Sequence, residues 1–152
     1  MQEKIDFLAT LKGGVFSLHL KGNSKREIIV EMIDLMVEAG LIEGRQETID
    51  AVIEREKKMS TGMQYGVALP HGKTADVKNL AVALALKKEG IDFSSLDGEP
   101  SRIFVMTVSS VYRTGPHIQY LSEMSRMLSC PEVRKTILAA ETKEDIIRAL
   151  TP

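Results

Sequence analysis

The sequence predicts an α/β layered sandwich, a β-sheet with helices on both sides. Two runs, Leu80–Leu86 and Arg102–Val108, are apolar almost without alternation. Strands of that kind are buried on both faces, so each face of the sheet needs a covering layer. Apolar stripes at helical spacing before and after these runs supply the two layers. We expect one domain over residues 1–152, since the chain has the length of an ordinary domain.

The N-terminal segment predicts one short strand. Residues 1–14 carry little pattern beyond a turn at Gly13-Gly14. The stretch Val15–Leu20 alternates well enough for a strand. Its inner face would carry Phe16, Leu18 and Leu20. His19 then lies on the solvent side, and no group nearby in sequence converges on it, so we assign it no function.

Two helices follow this strand. Ser24 and Glu27 match a capping box, in which each side chain bonds the backbone of the other residue. An apolar stripe comes next, and Gly40 suits the position just past the helix end. The second helix should cover about 45–57. Cations in its last turn suit the helix dipole, so Arg55 alone would be an ordinary C-terminal charge.

The stretch Gly66-Val-Ala-Leu-Pro-His-Gly72 is the strongest local signal for function. Pro70 cannot donate to a strand ladder and keeps the residue before it extended, so a strand from Gln64 should end here. Gly72 lets backbone or a partner approach closely. We expect His71 at the end of this strand, on an abrupt turn, where α/β proteins place reactive groups. The alternative is a turn that merely contains a histidine.

The last third of the chain predicts three helices. Pro116 suits the first position of a helix, which places His117 in its first turn. The inward stripe of this helix would be Ile118, Leu121, Met124, Ser125 and Leu128. Pro131 can open the next helix, and Thr142 with Asp145 can cap the last one.

The composition narrows the class of function. A net charge of −1, from 20 basic and 21 acidic residues, argues against nucleic-acid binding and gives no polybasic surface for a membrane. The low aromatic content argues against a base-stacking surface. The single cysteine, Cys130, excludes an internal disulfide. With neither a signal-peptide pattern nor an apolar run of about 20 residues, we expect a cytoplasmic protein without membrane insertion.

His71 and His117 can form one site, because one follows a strand and the other opens a helix. A helix N-terminus favours an anion, and a neutral imidazole keeps a lone pair for nucleophilic work. If the two rings meet, a phosphoryl group fits best, with Arg55 as a charged fork for its oxygens and Ser60 and Thr61 as further donors. Two histidines without a nearby cysteine or a His-Glu-x-x-His pattern are weak zinc ligands, so we predict neither a metal nor a cofactor.

Four patterns together resemble the enzyme IIA domain of the fructose/mannitol class (type 2) of the bacterial phosphoenolpyruvate-dependent sugar phosphotransferase system. In chain order they are Arg55-Glu56 followed by Ser60-Thr-Gly62, then Gly66–Gly72, then Asp97-Gly98, then Pro116-His117. The resemblance extends from about Ser24 to Leu150. It departs from the family after Val108, where Ser109-Ser110 stands in place of the usual Ala-Pro, and this leaves the conformation of the 109–116 loop open.

The resemblance implies a mixed central β-sheet and a phosphotransferase component that works through a phosphohistidine. His71 would be phosphorylated, on Nε2 in relatives, while His117 orients or stabilises the phosphoryl group and Arg55 lies beside it. The histidine-containing phosphocarrier protein would be the donor, and a cysteine of a sugar-specific enzyme IIB the acceptor during sugar uptake.

Two other functions fit the same motifs. Relatives of the nitrogen-regulatory type share them, so a regulatory phosphoprotein that controls partners by its phosphorylation state is the alternative. An inactive relative used only for interaction is a third. The sequence specifies neither the sugar, nor the acceptor protein, nor the oligomeric state.

Overall fold

The computed structural model describes residues 6–75, 77, 79–113 and 115–151. Within them the elements are α1 (Phe7–Lys12), β1 (Val15–Ser17), α2 (Lys25–Glu38), α3 (Arg45–Lys58), β2 (Val67–Ala68), β3 (His71–Thr74), β4 (Ala81–Ile91), β5 (Ser101–Ser110), α4 (Gly115–Leu128), α5 (Pro131–Leu138) and α6 (Lys143–Ala149). None of these helices combines the length and apolarity that a membrane span requires. The predicted loop 109–116 includes residue 114, which lies outside the described residues, and β5 continues through Ser110.

The sheet is mixed, with β4 and β5 at its centre. The strand order is β1-β4-β5-β2, and β3 also pairs with β5. β4 and β5 run antiparallel, whereas β1 pairs with β4, and β2 and β3 with β5, in parallel. The mixed central sheet expected from the family resemblance is therefore confirmed.

Apolar clusters cover both faces of the sheet. One cluster joins α2 and α3 to Phe104, Met106 and Val108 of β5. The other joins α1, α4, α5 and α6 to Ile103 and Val105 of the same strand. Successive side chains of β5 thus point to opposite helix layers, which explains why its sequence is apolar without alternation. The predicted layered sandwich is confirmed.

The N-terminal segment differs from the prediction in two ways. Residues 7–12 form α1, and Asp6 caps it by accepting a backbone N–H. A helix of fewer than two turns is too short to show a periodic pattern. The prediction that Leu20 shares a face with Phe16 is wrong, because β1 ends at Ser17. Phe16 packs in the α4–α6 layer, whereas Leu20 packs in the α2–α3 layer.

The predicted capping residues lie at the helix ends, although only one of the two bonds predicted between Ser24 and Glu27 is described. Ser24 Oγ accepts from the Glu27 N–H at 3.1 Å, and Gly40, with φ of 75°, follows the end of α2. Thr142 and Asp145 make the full reciprocal capping box of α6. These contacts satisfy backbone groups that a helix end would otherwise leave unpaired.

The inward face of α4 differs from the predicted stripe. Ile118 and Ser125 are exposed. The buried side chains are His117, Tyr120, Met124 and Leu128. This stripe has the same helical spacing but starts at the histidine, because His117 itself faces the sheet. The helix therefore holds His117 against β5.

The strand before Pro70 ends as predicted, since β2 stops at Ala68, but His71 does not lie on a turn, because it is the first residue of a further strand, β3. β2 and β3 pair with β5 in one continuous register, with Ala68 opposite Phe104 and His71 opposite Thr107. Pro70 has no N–H to donate and breaks the ladder between the two short strands. The histidine therefore belongs to an interrupted strand that β5 supports on both sides of the break.

Gly72 allows α3 to lie directly on β3. A Cβ at Gly72 would lie 2.9 Å from Val52 Cγ2 and 3.1 Å from the Val52 backbone nitrogen. The close approach predicted at this glycine is therefore made by the chain's own helix. Because Arg55 lies one turn after Val52, this packing also sets the position of Arg55 relative to the start of β3.

A buried carboxylate joins α3 to the segment before β2. Glu56 is 7% exposed and accepts from Lys25 Nζ at 2.9 Å. It also accepts from the Thr61 backbone N–H at 2.8 Å and the Thr61 hydroxyl at 2.6 Å. A buried charge is tolerated when it is paired and fully hydrogen-bonded, and Glu56 meets both conditions.

We expect Gly72→Ala to lower the free energy of unfolding by roughly 1–3 kcal/mol, because the added methyl group overlaps the α3 backbone. Gly115→Ala is the matched control, since a Cβ there meets no described atom within 4 Å. Urea unfolding of both variants measures the difference. Equal stabilities would show that α3 does not need this close contact.

We expect Glu56→Ala to lower the free energy of unfolding by about 3 kcal/mol, because it leaves Lys25 and the two Thr61 donors without their acceptor. The control is Glu54→Ala, which removes a carboxylate that is 68% exposed and pairs with Lys57 at 3.5 Å. An exposed pair contributes less than about 1 kcal/mol. Equal losses in the two variants by urea unfolding would contradict the role of Glu56.

Candidate functional site

Two imidazoles meet above β5. His71 comes from β3 and His117 from the first turn of α4, and their ring centroids lie 5.2 Å apart with planes tilted by 59°. His71 is half-buried, whereas His117 is only 4% exposed. The structure therefore brings together the two histidines that the sequence singled out, and it leaves one of them open to solvent. His19 is exposed and belongs to neither helix nor strand.

The backbone fixes which nitrogen of His71 is protonated. Its Nδ1 lies 2.9 Å from the carbonyl oxygen of Leu69. A carbonyl oxygen only accepts, so in the neutral ring Nδ1 carries the proton and Nε2 keeps the lone pair. Burial lowers the pKa of His71 below its ordinary value of 6.5, although the hydrogen bond to Leu69 acts in the opposite direction. The positive charges of Arg55 and Lys73 lower this pKa further. Near pH 7 the ring is therefore neutral, with Nε2 unprotonated.

His117 is held from the sheet by two hydroxyl groups. Its Nε2 lies 2.9 Å from Thr107 Oγ1, and its Nδ1 lies 3.3 Å from Ser109 Oγ. Burial lowers the pKa of His117 to about 4, and the nearby His71 and Lys73 act in the same direction. The second ring is therefore also neutral near pH 7. Sequence reasoning missed both hydroxyls; the available signal was polar residues at alternate positions of an apolar strand.

Arg55 lies at the C-terminal end of α3, close enough for its charge to lower the pKa of His71. Its Nη1 donates to the carbonyl of Met59 at 2.8 Å. A guanidinium has several N–H donors arranged as a planar fork, and this bond uses one edge of it. The predicted cation is thus near the histidine pair, and its position is fixed by the segment that follows α3.

Ser60 and Thr61 use their hydroxyl protons within the chain. The Ser60 hydroxyl donates to the Phe93 carbonyl at 2.6 Å, and the Thr61 hydroxyl donates to Glu56. Thr61 is also buried. A bond from either hydroxyl to a phosphate would require one of these internal bonds to break, so in this structure the two residues shape the segment before β2. Their role as phosphate donors stays a prediction.

Several large apolar side chains are exposed on the described surface. Among the described residues, the large apolar side chains with the greatest exposure are Met59, Met63, Tyr65, Leu96, Val111, Tyr112 and Ile118. They belong to the segments after α3, before β2, between β4 and β5, after β5 and at the start of α4. A groove of about 300 Å³ beside β2 is lined by several of them together with Leu128. A surface of this kind is typical of a protein-interaction site.

The chain is similar to proteins of known family. Residues 10–152 match the family model described as phosphoenolpyruvate-dependent sugar phosphotransferase system, EIIA 2. The chain is 37% identical over 130 residues to the fructose-specific EIIABC component of Bacillus subtilis, covering 86% of this chain and 20% of that protein. It therefore spans about one fifth of the length of that relative. It is 36% identical over 132 residues to the fructose-specific EIIA component of Haloferax volcanii, covering 87% of this chain and 86% of that protein.

A solved structure agrees with the sequence matches. The nitrogen regulatory protein IIA-Ntr from Neisseria meningitidis is similar with a TM-score of 0.83 and 27% identity, over 90% of this chain and 92% of that one. The family match covers both histidines and nearly all of the sandwich that holds them. The chain therefore belongs to the EIIA 2 family of the phosphoenolpyruvate-dependent sugar phosphotransferase system.

Proposed function

We propose that this protein accepts a phosphoryl group on Nε2 of His71 from the histidine-containing phosphocarrier protein and passes it to a cysteine of a sugar-specific enzyme IIB. The observation that carries the proposal is the contact of His71 Nδ1 with the Leu69 carbonyl, which leaves Nε2 as an unprotonated nucleophile. The second neutral imidazole at 5.2 Å and the family membership support it.

Each transfer exchanges one bond to phosphorus for another. The lone pair of His71 Nε2 forms the new P–N bond while the donor's own P–N bond breaks, and the donor nitrogen keeps that electron pair. No proton leaves His71, because Nδ1 already carries it and Leu69 continues to accept it. In the second step the acceptor thiolate attacks phosphorus, and Nε2 regains its lone pair.

Fixed positive and polar groups would stabilise the transferred group. Arg55 offers a planar cation to the equatorial oxygens, over which the negative charge is spread in the transition state. The neutral His117 has one N–H, which in this structure lies against a hydroxyl of β5, so a phosphoryl oxygen would share or replace that bond without any change in the charge of the ring. These groups belong to α3 and α4, which are packed against the sheet, so little reorganisation accompanies transfer.

A regulatory phosphoprotein is the second candidate, favoured by the likeness to the nitrogen regulatory protein IIA-Ntr. Both functions begin with phosphate on His71 and differ in where that phosphate goes next. Adding a purified enzyme IIB of the fructose class to the phosphorylated protein separates them. Phosphate on the enzyme IIB cysteine supports transport, whereas phosphate retained on His71 supports regulation.

We expect His71→Ala to abolish phosphate acceptance while the fold persists, because the variant removes only the nucleophile. Intact-mass measurement after mixing with phosphoenolpyruvate, enzyme I and the phosphocarrier protein should show one added, acid-labile phosphoryl group in the native protein and none in this variant. His19→Ala removes an exposed histidine elsewhere and should behave as the native protein does. Undiminished phosphorylation of His71→Ala would refute the assignment.

We expect His117→Ala to slow transfer by roughly 10²-fold, or to strand the phosphate on His71, because a preorganised donor to the phosphoryl group is lost. Rapid-quench measurement of phosphate gain from the donor and loss to the acceptor checks both steps. Circular dichroism confirms that the variant is folded. Native rates in both steps would remove His117 from the site.

A further inference from the structure

The face of β5 that points toward α4 changes chemical character beneath His117. Ile103 and Val105 on this face are buried and apolar. Thr107 and Ser109 continue the same face at 0% and 1% exposure and carry hydroxyl groups. A hydroxyl buried this deeply is unfavourable unless it is hydrogen-bonded. Both hydroxyls meet this condition through the ring nitrogens of His117.

The register of the sheet places Thr107 next to the proposed nucleophile. Thr107 is the direct partner of His71 in the parallel pairing of β3 with β5. Side chains of directly paired residues point to the same face, so these two stand side by side. α4 brings His117 onto that face, where Thr107 Oγ1 meets Nε2 at 2.9 Å. Thr107 is thus the residue that adjoins both histidines, and its hydroxyl contacts His117.

Two hydroxyls can hold a neutral imidazole in either of its tautomers. The ring has one N–H and one lone pair, and each hydroxyl can accept from the first or donate to the second. If either hydroxyl is removed, only one arrangement keeps the N–H paired. That arrangement is favoured because leaving a buried N–H without an acceptor costs free energy, and proteins tolerate it less often than a buried acceptor without a donor.

We propose that Thr107 and Ser109 are positioning residues for His117: their hydroxyls fix its ring orientation and set the balance between its two tautomers. This balance decides which nitrogen of His117 carries the N–H that a phosphoryl group on His71 would share with, or take from, its hydroxyl partner, a consequence that rests on the proposed function. Because hydroxyls rotate in place, His117 can change tautomer without moving its ring. The hydroxyl contacts themselves exist before any phosphoryl group arrives.

The first test measures the tautomer of His117 in the unphosphorylated protein by ¹⁵N NMR of the ring nitrogens, with the signals assigned through His117→Ala. Thr107→Val keeps shape and burial but removes the hydroxyl, so the population should shift toward Nδ1–H, which Ser109 still accepts. Ser109→Ala should shift it the opposite way, toward Nε2–H bound to Thr107. Thr107→Ser should retain the native ratio.

Opposite shifts in these two variants, with the native ratio in Thr107→Ser, support the proposal. Unchanged ring-nitrogen shifts overturn it. Shifts in the same direction also overturn it, because they indicate a general disturbance of the site. This readout needs no phosphate donor, so it decides the positioning role even if the protein accepts no phosphate.

The second test measures phosphate gain and loss at His71 with the charged phosphocarrier protein and an enzyme IIB. We expect Thr107→Val to slow transfer about tenfold, by analogy with metal sites, where losing the hydrogen-bond partner of a ligating histidine has an effect of that order. Thr107→Ser should stay within about twofold of the native rate. The control, Ser101→Ala, removes a buried hydroxyl of the same strand that bonds Ser95 instead of His117, and should leave the rate unchanged.

A native rate in Thr107→Val would overturn the consequence for transfer. No phosphorylation of the native protein by a demonstrably charged donor would refute the proposed function itself. The NMR comparison distinguishes these failures, because it reports on the hydroxyls and His117 alone.

Discussion

Pro70 lacks the N–H that a strand ladder needs, so the backbone that lies along β5 is divided into β2 and β3. The backbone groups of Leu69 point away from β5, because its neighbour Pro70 accepts from the Thr107 N–H and successive residues of a strand direct their backbone groups to opposite sides. The Leu69 N–H donates to the Thr61 carbonyl at 3.0 Å, and the Leu69 carbonyl meets His71 Nδ1 at 2.9 Å. Because β5 keeps the same register across the break, this local irregularity is held on a rigid strand. The protonation pattern of His71 is therefore a property of the fold.

The site combines neutral rings with fixed charge. Burial keeps both imidazoles neutral, and the cations Arg55 and Lys73 lower the pKa of His71 further. The nearby carboxylate of Glu56 accepts from Lys25 and Thr61, so its lone pairs already have partners inside the protein. An incoming anion thus meets uncharged nitrogen atoms and the cations Arg55 and Lys73, whereas the buried carboxylate of Glu56, although paired with Lys25, acts in the opposite direction and raises the pKa of His71.

Backbone-constraining residues made the histidine pair predictable. Pro70 and Pro116 restrict their own φ angles, so their effects can be read from the sequence without a structure. The contact between β5 and α4 could not be read in this way. It depends on which residue of the helix faces the sheet, and the predicted stripe placed Ile118 inside when His117 occupies that face. The hydroxyl of Thr107 therefore had no visible partner until the tertiary packing was known.

The short α1 and the short strand β3 were missed for a related reason. Each involves too few residues for a periodic pattern to develop, and each is maintained by packing on distant segments. The sandwich itself was predictable, because a long strand that is apolar on both faces needs helices on both sides of its sheet, however the chain connects them. The sequence therefore predicted the layers and the two histidines. The packing of α4 on β5 determined which hydroxyl side chains contact His117.

The unequal exposure of the two histidines constrains how partners could use the proposed site. His71 is half-buried and His117 is 4% exposed, so a partner protein can contact the ring of His71 but not that of His117. In-line displacement places the incoming and leaving atoms on opposite sides of phosphorus. With Nε2 on one side in both steps, donor and acceptor must each approach from the opposite, solvent side. On the proposed function, the two partners therefore share one docking face and exclude each other, and the phosphoryl group waits on His71 between their visits.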